Sequence, residues 1–105
     1  MASGSNNWRL QFSGGAYSDG VIVLELTPMC EPINVSIDVA DGTSENGVAK
    51  VVVNTLKAQL PKDGFHIERD DGEDVLIKKR QSAANFDLKI VSNSVDHVRI
   101  NPQRE

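Results

Sequence analysis

The fold is decided by one stretch, DGTSENGVAKVVVNTLKAQLP at residues 41–61, the only part of the chain with an uninterrupted helical period. At about 100° per residue its apolar side chains fall on one broad face, opposite Lys50, Asn54 and Lys57. A face of this kind needs a covering layer, so we expect one helix lying across a sheet. Its apolar positions are Val48, Ala49, Val52, Val53, Leu56 and Leu60.

The two ends of this helix carry residues with known terminal preferences. Thr43 or Ser44 can accept hydrogen bonds from the first free N–H groups, and Glu45 suits the positive end of the helix dipole. Pro61 and the Asp-Gly pair at 63–64 end the helix. The sequence therefore predicts a helix over about residues 44–60.

Outside the helix, apolar and polar residues alternate in short segments, as in half-buried strands. Trp8 is expected to face the core. The small and turn-forming residues of segment 13–20 predict a loop between paired strands, and Asp70-Asp71-Gly72 is a hairpin-turn signal. Strands are expected near residues 7–12, 21–26, 33–39, 65–68, 75–77, 86–90 and 98–100.

Seven short strands joined by tight turns favour antiparallel pairing, so the predicted class is α+β: mostly antiparallel sheet or sheets with the helix packed across. A chain of 105 residues suits one domain with one core. We place that domain at residues 7–101, between a flexible N-terminal arm at 1–6 and a C-terminal tail at 102–105.

The composition disfavours several classes of partner. The formal net charge of −4, with acidic and basic residues interspersed, argues against a nucleic-acid surface. The N-terminal segment lacks the features of a signal peptide, and the apolar run Val21–Leu24 is far shorter than the roughly 20 residues that cross a bilayer. The single Cys30 permits no internal disulfide and fits synthesis in a reducing compartment such as the cytoplasm.

Two histidines are the first candidates for chemistry. His66 and His97 are both expected on the polar sides of strands, where two imidazoles and a carboxylate such as Glu68 can bind zinc or copper if the strands are neighbours. The spacing matches no ligand motif, and two solvated surface histidines are the ordinary alternative. We therefore expect no metal site and no cofactor.

Other catalytic signals are equally weak. The glycines of segment 14–20 are followed by no Gly-Lys-Ser/Thr, so nothing supports a phosphate loop. Cys30 has no nearby base or positive field to activate it, and a structural thiol is expected. We expect no catalytic residues, no enzyme activity and no small-molecule substrate.

Two charged clusters are candidates for protein contact. The acidic cluster lacks the calcium-loop pattern and is expected to be a solvated hairpin tip; it contains Asp70, Asp71, Glu73 and Asp74. The basic cluster is Lys78, Lys79 and Arg80. Across one hairpin these clusters can pair with each other, and between identical subunits each can meet its opposite on a neighbour.

Several segments together resemble a module of tailed-phage virion proteins, which has a counterpart in flagellar proteins. The matching features are a Gly-Thr turn that opens a helix with a Val/Ala and Leu face, followed by a hairpin of the form F-x-I, turn, V-x-I. The resemblance covers about residues 41–90, carried by DGTSENGVA at 41–49, Leu56, Leu60, FHIE at 65–68 and DVLI at 74–77. These are packing patterns, so no functional residue is carried over.

The resemblance implies a non-enzymatic structural subunit of a phage tail, tube, baseplate or fibre attachment. Such a protein is made in the host cytoplasm, resides in the virion, and has itself and other virion proteins as partners. Contacts are expected through strand edges and through the loops at 13–20 and 81–85. One alternative is a small accessory protein that binds and modulates one host protein; another is a small metal-binding protein.

Overall fold

A computed structural model of the protein describes residues 7–27, 31–62, 64–70, 72–79 and 85–104. Within these ranges three strands, one helix and four strands follow one another, and every strand pair is antiparallel, so the predicted α+β class is confirmed. The elements are β1 (Asn7–Ser13), β2 (Gly20–Thr27), β3 (Ile33–Val39), α1 (Glu45–Gln59), β4 (Phe65–Asp70), β5 (Asp74–Lys79), β6 (Asp87–Asn93) and β7 (Arg99–Arg104).

Helix α1 begins and ends where its sequence predicts. The Ser44 side chain accepts a hydrogen bond from the Gly47 N–H at 3.1 Å, and the Leu60 N–H donates to the Leu56 carbonyl at 2.9 Å. All six residues of the predicted apolar face are buried. The helix packs on β3 and β4, which are outer strands of two different sheets, and so covers one side of the core.

The strands form two sheets rather than one. The first has the order β4-β5-β1-β7 and the second the order β3-β2-β6. The expectation that segment 13–20 joins paired strands is wrong, because β1 is flanked by β5 and β7 while β2 is flanked by β3 and β6. The segment instead carries the chain from one sheet to the other. Buried side chains from both sheets and α1 form one hydrophobic cluster, and Trp8 is part of it, as predicted.

Strand β7 shows how a proline is accommodated at a sheet edge. The Phe12 N–H donates to the Glu73 carbonyl on the β5 side of β1. Successive residues of a strand point their backbone groups to opposite sides, so those of Gln11 point toward β7, where Asn101 lies opposite. The next residue, Pro102, therefore turns its nitrogen to the outer edge, where no ladder donor is needed. Residues 102–104 pair with β1, and assigning them to a C-terminal tail was wrong.

Strand β6, at an edge of the second sheet, carries a bulge. Val23 lies opposite Ser92 and Leu24 lies opposite Ile90, which leaves Val91 without a partner residue in the ladder and 49% exposed. A bulge and an edge proline are both features that hinder the addition of another strand. Neither β6 nor β7 is therefore a good template for pairing with a neighbouring chain.

Candidate interaction surface

Three loops meet at the end of the molecule where α1 begins. They are residues 14–19, 40–44 and 94–98, and together we call them the loop end. The Ala16 N–H donates to the Thr43 carbonyl at 2.8 Å, and the Tyr17 N–H donates to the Asp96 carbonyl at 3.1 Å. The Gly42 N–H returns a bond to the Ala16 carbonyl at 2.9 Å. These bonds fix one loop against the other two.

Gly14 lets the loops approach this closely. Its φ of 84° is in the left-handed region, and its N–H donates to the Glu45 carboxylate at 2.8 Å. A Cβ at this position would collide with the backbone carbonyl of His97. Only glycine satisfies both the backbone angle and the space, so Gly14 sets the position of the 94–98 turn.

His97 lies in that turn with a φ of 73°, and it is the one non-glycine residue of the described ranges with positive φ. Its Nδ1 is 3.2 Å from the Gly15 carbonyl oxygen. Its ring stacks on Tyr17, with the ring centroids 4.0 Å apart and the planes 1° from parallel. A left-handed backbone at a non-glycine residue costs on the order of 1 kcal/mol or more, and such strain is found most often at functional sites.

Tyr17 is the most exposed large apolar side chain in the described part of the chain, with 67% of its surface accessible. The stack on His97 restrains its ring, and its backbone is held by the bond to Asp96. Exposed carboxylates of Asp19, Asp41 and Asp96 lie in the same three loops. A restrained tyrosine in a polar surround is typical of protein interfaces.

The sequence predicted a contact loop at 13–20 but did not single out Tyr17. One available signal was that the only tyrosine of the chain stands in a segment otherwise made of small and turn-forming residues. Its pairing with His97 depends on contacts over about eighty positions of sequence and has no local signature. In the second predicted contact loop, at 81–85, only Asn85 lies within the described residues.

The two histidines are not brought together. His66 is on β4, whereas His97 precedes β7, and these are the two outer strands of the four-stranded sheet. The expected placement of His97 on a strand face is wrong, because it lies in a turn. His66 does approach Glu68, with Nε2 and Oε2 3.4 Å apart. Within the described ranges no group of three or more His, Cys, Asp and Glu side chains is arranged to hold a metal ion.

The predicted ion pairing across the β4–β5 hairpin is also wrong for the residues that are described. Asp70 lies opposite Asp74 at one end of the hairpin, whereas Lys79 lies opposite Phe65 at the other. The two carboxylates bind Arg9 of β1 instead, at 3.1 Å and 2.7 Å, and Asp74 is buried. Asp71 and Arg80 lie outside the described residues.

Lys78 has a different partner from the one expected. Its Nζ is 2.9 Å from Oε1 of Glu68 on β4. The hydrogen bond from Lys78 lowers the pKa of the Glu68 carboxyl, with a smaller contribution from His66, against a partial desolvation that acts to raise it. The half-buried Lys78 and Lys79 thus lie beside His66, near the end of the molecule opposite the loop end.

A groove of about 510 Å³ runs between the C-terminal half of α1 and strand β4, and we call it the helix groove. Its apolar lining comes from Leu56, Leu60, Phe65 and Ile67. Its polar lining comes from Asn54, Lys57, Lys62 and His66, all of which are exposed. The groove therefore combines an apolar floor with a basic rim.

The sequence matches no model of a known protein family and no curated protein. Among the described residues, no helix has both the length and the apolar character needed to span a membrane. The grounds for a proposed function are therefore the fold, the site geometry and the resemblance over residues 41–90.

Proposed function

We propose that the protein is a non-enzymatic structural subunit that acts by self-assembly in a phage virion, as part of a tail, tube, baseplate or fibre attachment. The observation that carries this proposal is Tyr17, an exposed aromatic side chain restrained by the strained His97. The stack on His97 leaves 67% of the tyrosine accessible, and this surface is free to be covered by a partner. An external partner for the ring gives the arrangement a purpose.

Restraint of the ring matters for the strength of the contact. Association is opposed by the entropy lost when interface side chains are immobilised, about 0.5–1.5 kcal/mol for each flexible side chain. The stack on His97 and the hydrogen bonds of the loop end already restrain Tyr17 in the free subunit, so less of this entropy is lost when a partner binds. Tyr17 can therefore act as a preformed anchor.

The route of assembly follows from the sheet edges. The edges of β6 and β7 are obstructed by the Val91 bulge and by Pro102, so strand addition at those edges is disfavoured. Of the two expected routes, loop-mediated contact is supported by Tyr17, whereas strand addition has, among the described strands, only the outer edges of β3 and β4 left to it. The virion assignment rests on the resemblance over residues 41–90, whose helix and hairpin are both present in the fold.

The test is the molar mass of the protein by analytical ultracentrifugation over a range of concentrations and salt. We expect the wild type to associate as concentration rises, and Tyr17→Ser to associate more weakly. Val91→Ser is the matched control, because Val91 is the other exposed large apolar residue of the described chain and lies in strand β6 of the second sheet.

A strictly monomeric wild type at high concentration and low salt, with no oligomer in purified particles, would contradict self-assembly. If such a monomer instead captured one host protein in a stoichiometric complex, the accessory-protein alternative would replace the proposal.

A further inference from the structure

Unpaired charges of opposite sign are separated along the molecule. At the loop end the exposed carboxylates of Asp19, Asp41 and Asp96 have no ion-pair partner among the described residues. Asp38, at the end of β3, lines the same shallow depression as Asp19. Arg99 is an exposed cation beside Gly14 and His97, so the surface around Tyr17 is predominantly rather than uniformly negative.

The helix groove presents the opposite charge. Lys57 and Lys62 stand exposed on its rim and, among the described residues, form no ion pair. The chain as a whole has a formal net charge of −4, so a groove with a basic rim is a local exception. Two ammonium groups beside an apolar floor suit a ligand that has an apolar body and flanking carboxylates.

The size of the groove fits one aromatic side chain with its neighbours. Its volume of about 510 Å³ lies within the range of about 300–1,000 Å³ found for sites that enclose small ligands. Tyr17 offers an apolar ring with a polar tip and is flanked within the loop end by Asp19 and Asp96. The feature that the groove would recognise is therefore present on the same chain.

We propose that the helix groove of one copy binds Tyr17 of a second copy, with Lys57 and Lys62 facing the carboxylates of the loop end. This inference rests on the proposed self-assembly and specifies its contact. It replaces the pairing of acidic hairpin tip with basic strand end, because Asp70 and Asp74 bind Arg9 within the subunit.

The location of the two surfaces dictates the type of assembly. The loop end packs at the start of α1 and the helix groove flanks its second half, while the 15-residue helix is about 22 Å long. Two different patches that bind each other form a heterologous contact, which leaves one free patch at each end of a dimer. Growth continues until a ring closes, of which a reciprocal two-fold dimer is the smallest, or until a filament forms.

The test mixes two variants that each lack one patch. Tyr17→Ser keeps the groove, and the double variant Lys57→Glu, Lys62→Glu keeps the loop end. All three positions are exposed, so both variants are expected to fold, which circular dichroism verifies. Lys89→Glu, an exposed charge reversal on β6, is the control for a charge reversal away from both patches, with half the change in net charge of the double variant. Sedimentation velocity measures each protein alone and the variants in pairs.

We expect each variant alone to self-associate at least about tenfold more weakly than the wild type, as for the loss of an interface anchor. An equimolar mixture of the two variants should form a one-to-one dimer and nothing larger, since a single intact groove meets a single intact loop end. Lys89→Glu should assemble as the wild type does.

The outcomes separate the contact from the function. If the wild type assembles and both variants assemble equally well, or if the mixture forms no dimer, the groove contact is wrong while self-assembly stands. If the wild type itself stays monomeric at high concentration and low salt, and purified particles contain no oligomer, the proposed function fails together with the contact.

Discussion

Gly14→Ala tests most directly whether the close contact between Gly14 and His97 holds the loop end together, and Gly42→Ala is its matched control. Both glycines belong to the loop end and have nearly the same φ, 84° and 85°. They differ in the space around them, because a Cβ on Gly42 meets no atom within 4 Å while one on Gly14 collides with the His97 backbone.

The expected losses of stability follow from the backbone angle and from the space around each glycine. A left-handed backbone at an L-residue costs about 1–2 kcal/mol, which is the expected destabilisation for Gly42→Ala. Gly14→Ala incurs that cost and must also displace a backbone carbonyl of the 94–98 turn, which cannot rotate away as a side chain would. We expect Gly14→Ala to exceed its control by at least about 1 kcal/mol, within the range of strain found at such positions.

Urea unfolding followed by fluorescence measures both variants. Trp8 is the only tryptophan and is 6% exposed, with its Nε1 donating to the Phe86 carbonyl at 2.9 Å, so its emission reports on the core. Equal destabilisation by the two substitutions would show that Gly14 is not constrained by His97. The description of the loop end as a close-packed unit would then be wrong.

The other predictions concern the core, the internal ion pairs and metal dependence. Val52→Asp places an unpaired charge under the sheets and should cost several kcal/mol, enough to unfold a marginal domain. Lys50→Asp, on the exposed face of the helix, should leave Tm nearly unchanged. Equal Tm values for the two variants would contradict the helix orientation. Arg9→Met leaves the buried Asp74 carboxylate without its partner and should cost about 3 kcal/mol in urea unfolding, and a loss below about 1 kcal/mol would show that the pair contributes little. The pKa of Glu68 is lowered in the folded state, so its ion pair stabilises the fold above the ordinary pKa of 4.5, and this stabilisation is lost as pH falls through the lowered pKa. Glu68→Gln should remove that part of the acid dependence of the unfolding free energy, which is less than about 1 kcal/mol at this largely exposed site. An unchanged acid profile would contradict the pairing. Addition of a chelator should leave the Tm of the wild type unchanged, since the two histidines lie near opposite edges of one sheet, and a lowered Tm would restore the metal-binding alternative.

Local periodicity was sufficient to predict the helix, its apolar face, its cap and the seven strands. These features depend on residues a few positions apart, as in the pairing of Ser44 with Gly47. The β4–β5 hairpin was predictable for the same reason, because its turn signal lies between its two strands.

The distribution of strands between two sheets was not predictable in this way. Each of β1 and β2 has two antiparallel neighbours, and nothing in the alternation of Trp8 to Phe12 indicates that β5 and β7 are the partners of β1. The same limit applies to Arg9, whose carboxylate partners are more than sixty positions away in sequence. Long-range pairing decides these features, and single-sequence periodicity carries no information on it.

The candidate surface was predicted in part. The loop at 13–20 was predicted to be a contact segment, but the proposed contact through Tyr17 depends on the His97 stack and on the left-handed turn that holds it. The expected pairing of Lys78 and Lys79 with Asp70 and Asp74 across the hairpin was wrong for a physical reason. Neighbouring strands bring Arg9 to Asp70 and Asp74 and bring Glu68 to Lys78, while the acidic and basic clusters lie at opposite ends of the hairpin.

The most direct measurement of self-association through these surfaces is a dilution series of amide chemical shifts for the wild-type protein at low salt. We expect two sets of amides to shift together as concentration rises, one in the loop end around Tyr17 and Asp96 and one lining the helix groove around Leu56 and Lys62. Amides along the bulged strand β6 should stay fixed. Shifts confined to the edges of β6 and β7, or no concentration dependence at all, would contradict self-association through these surfaces.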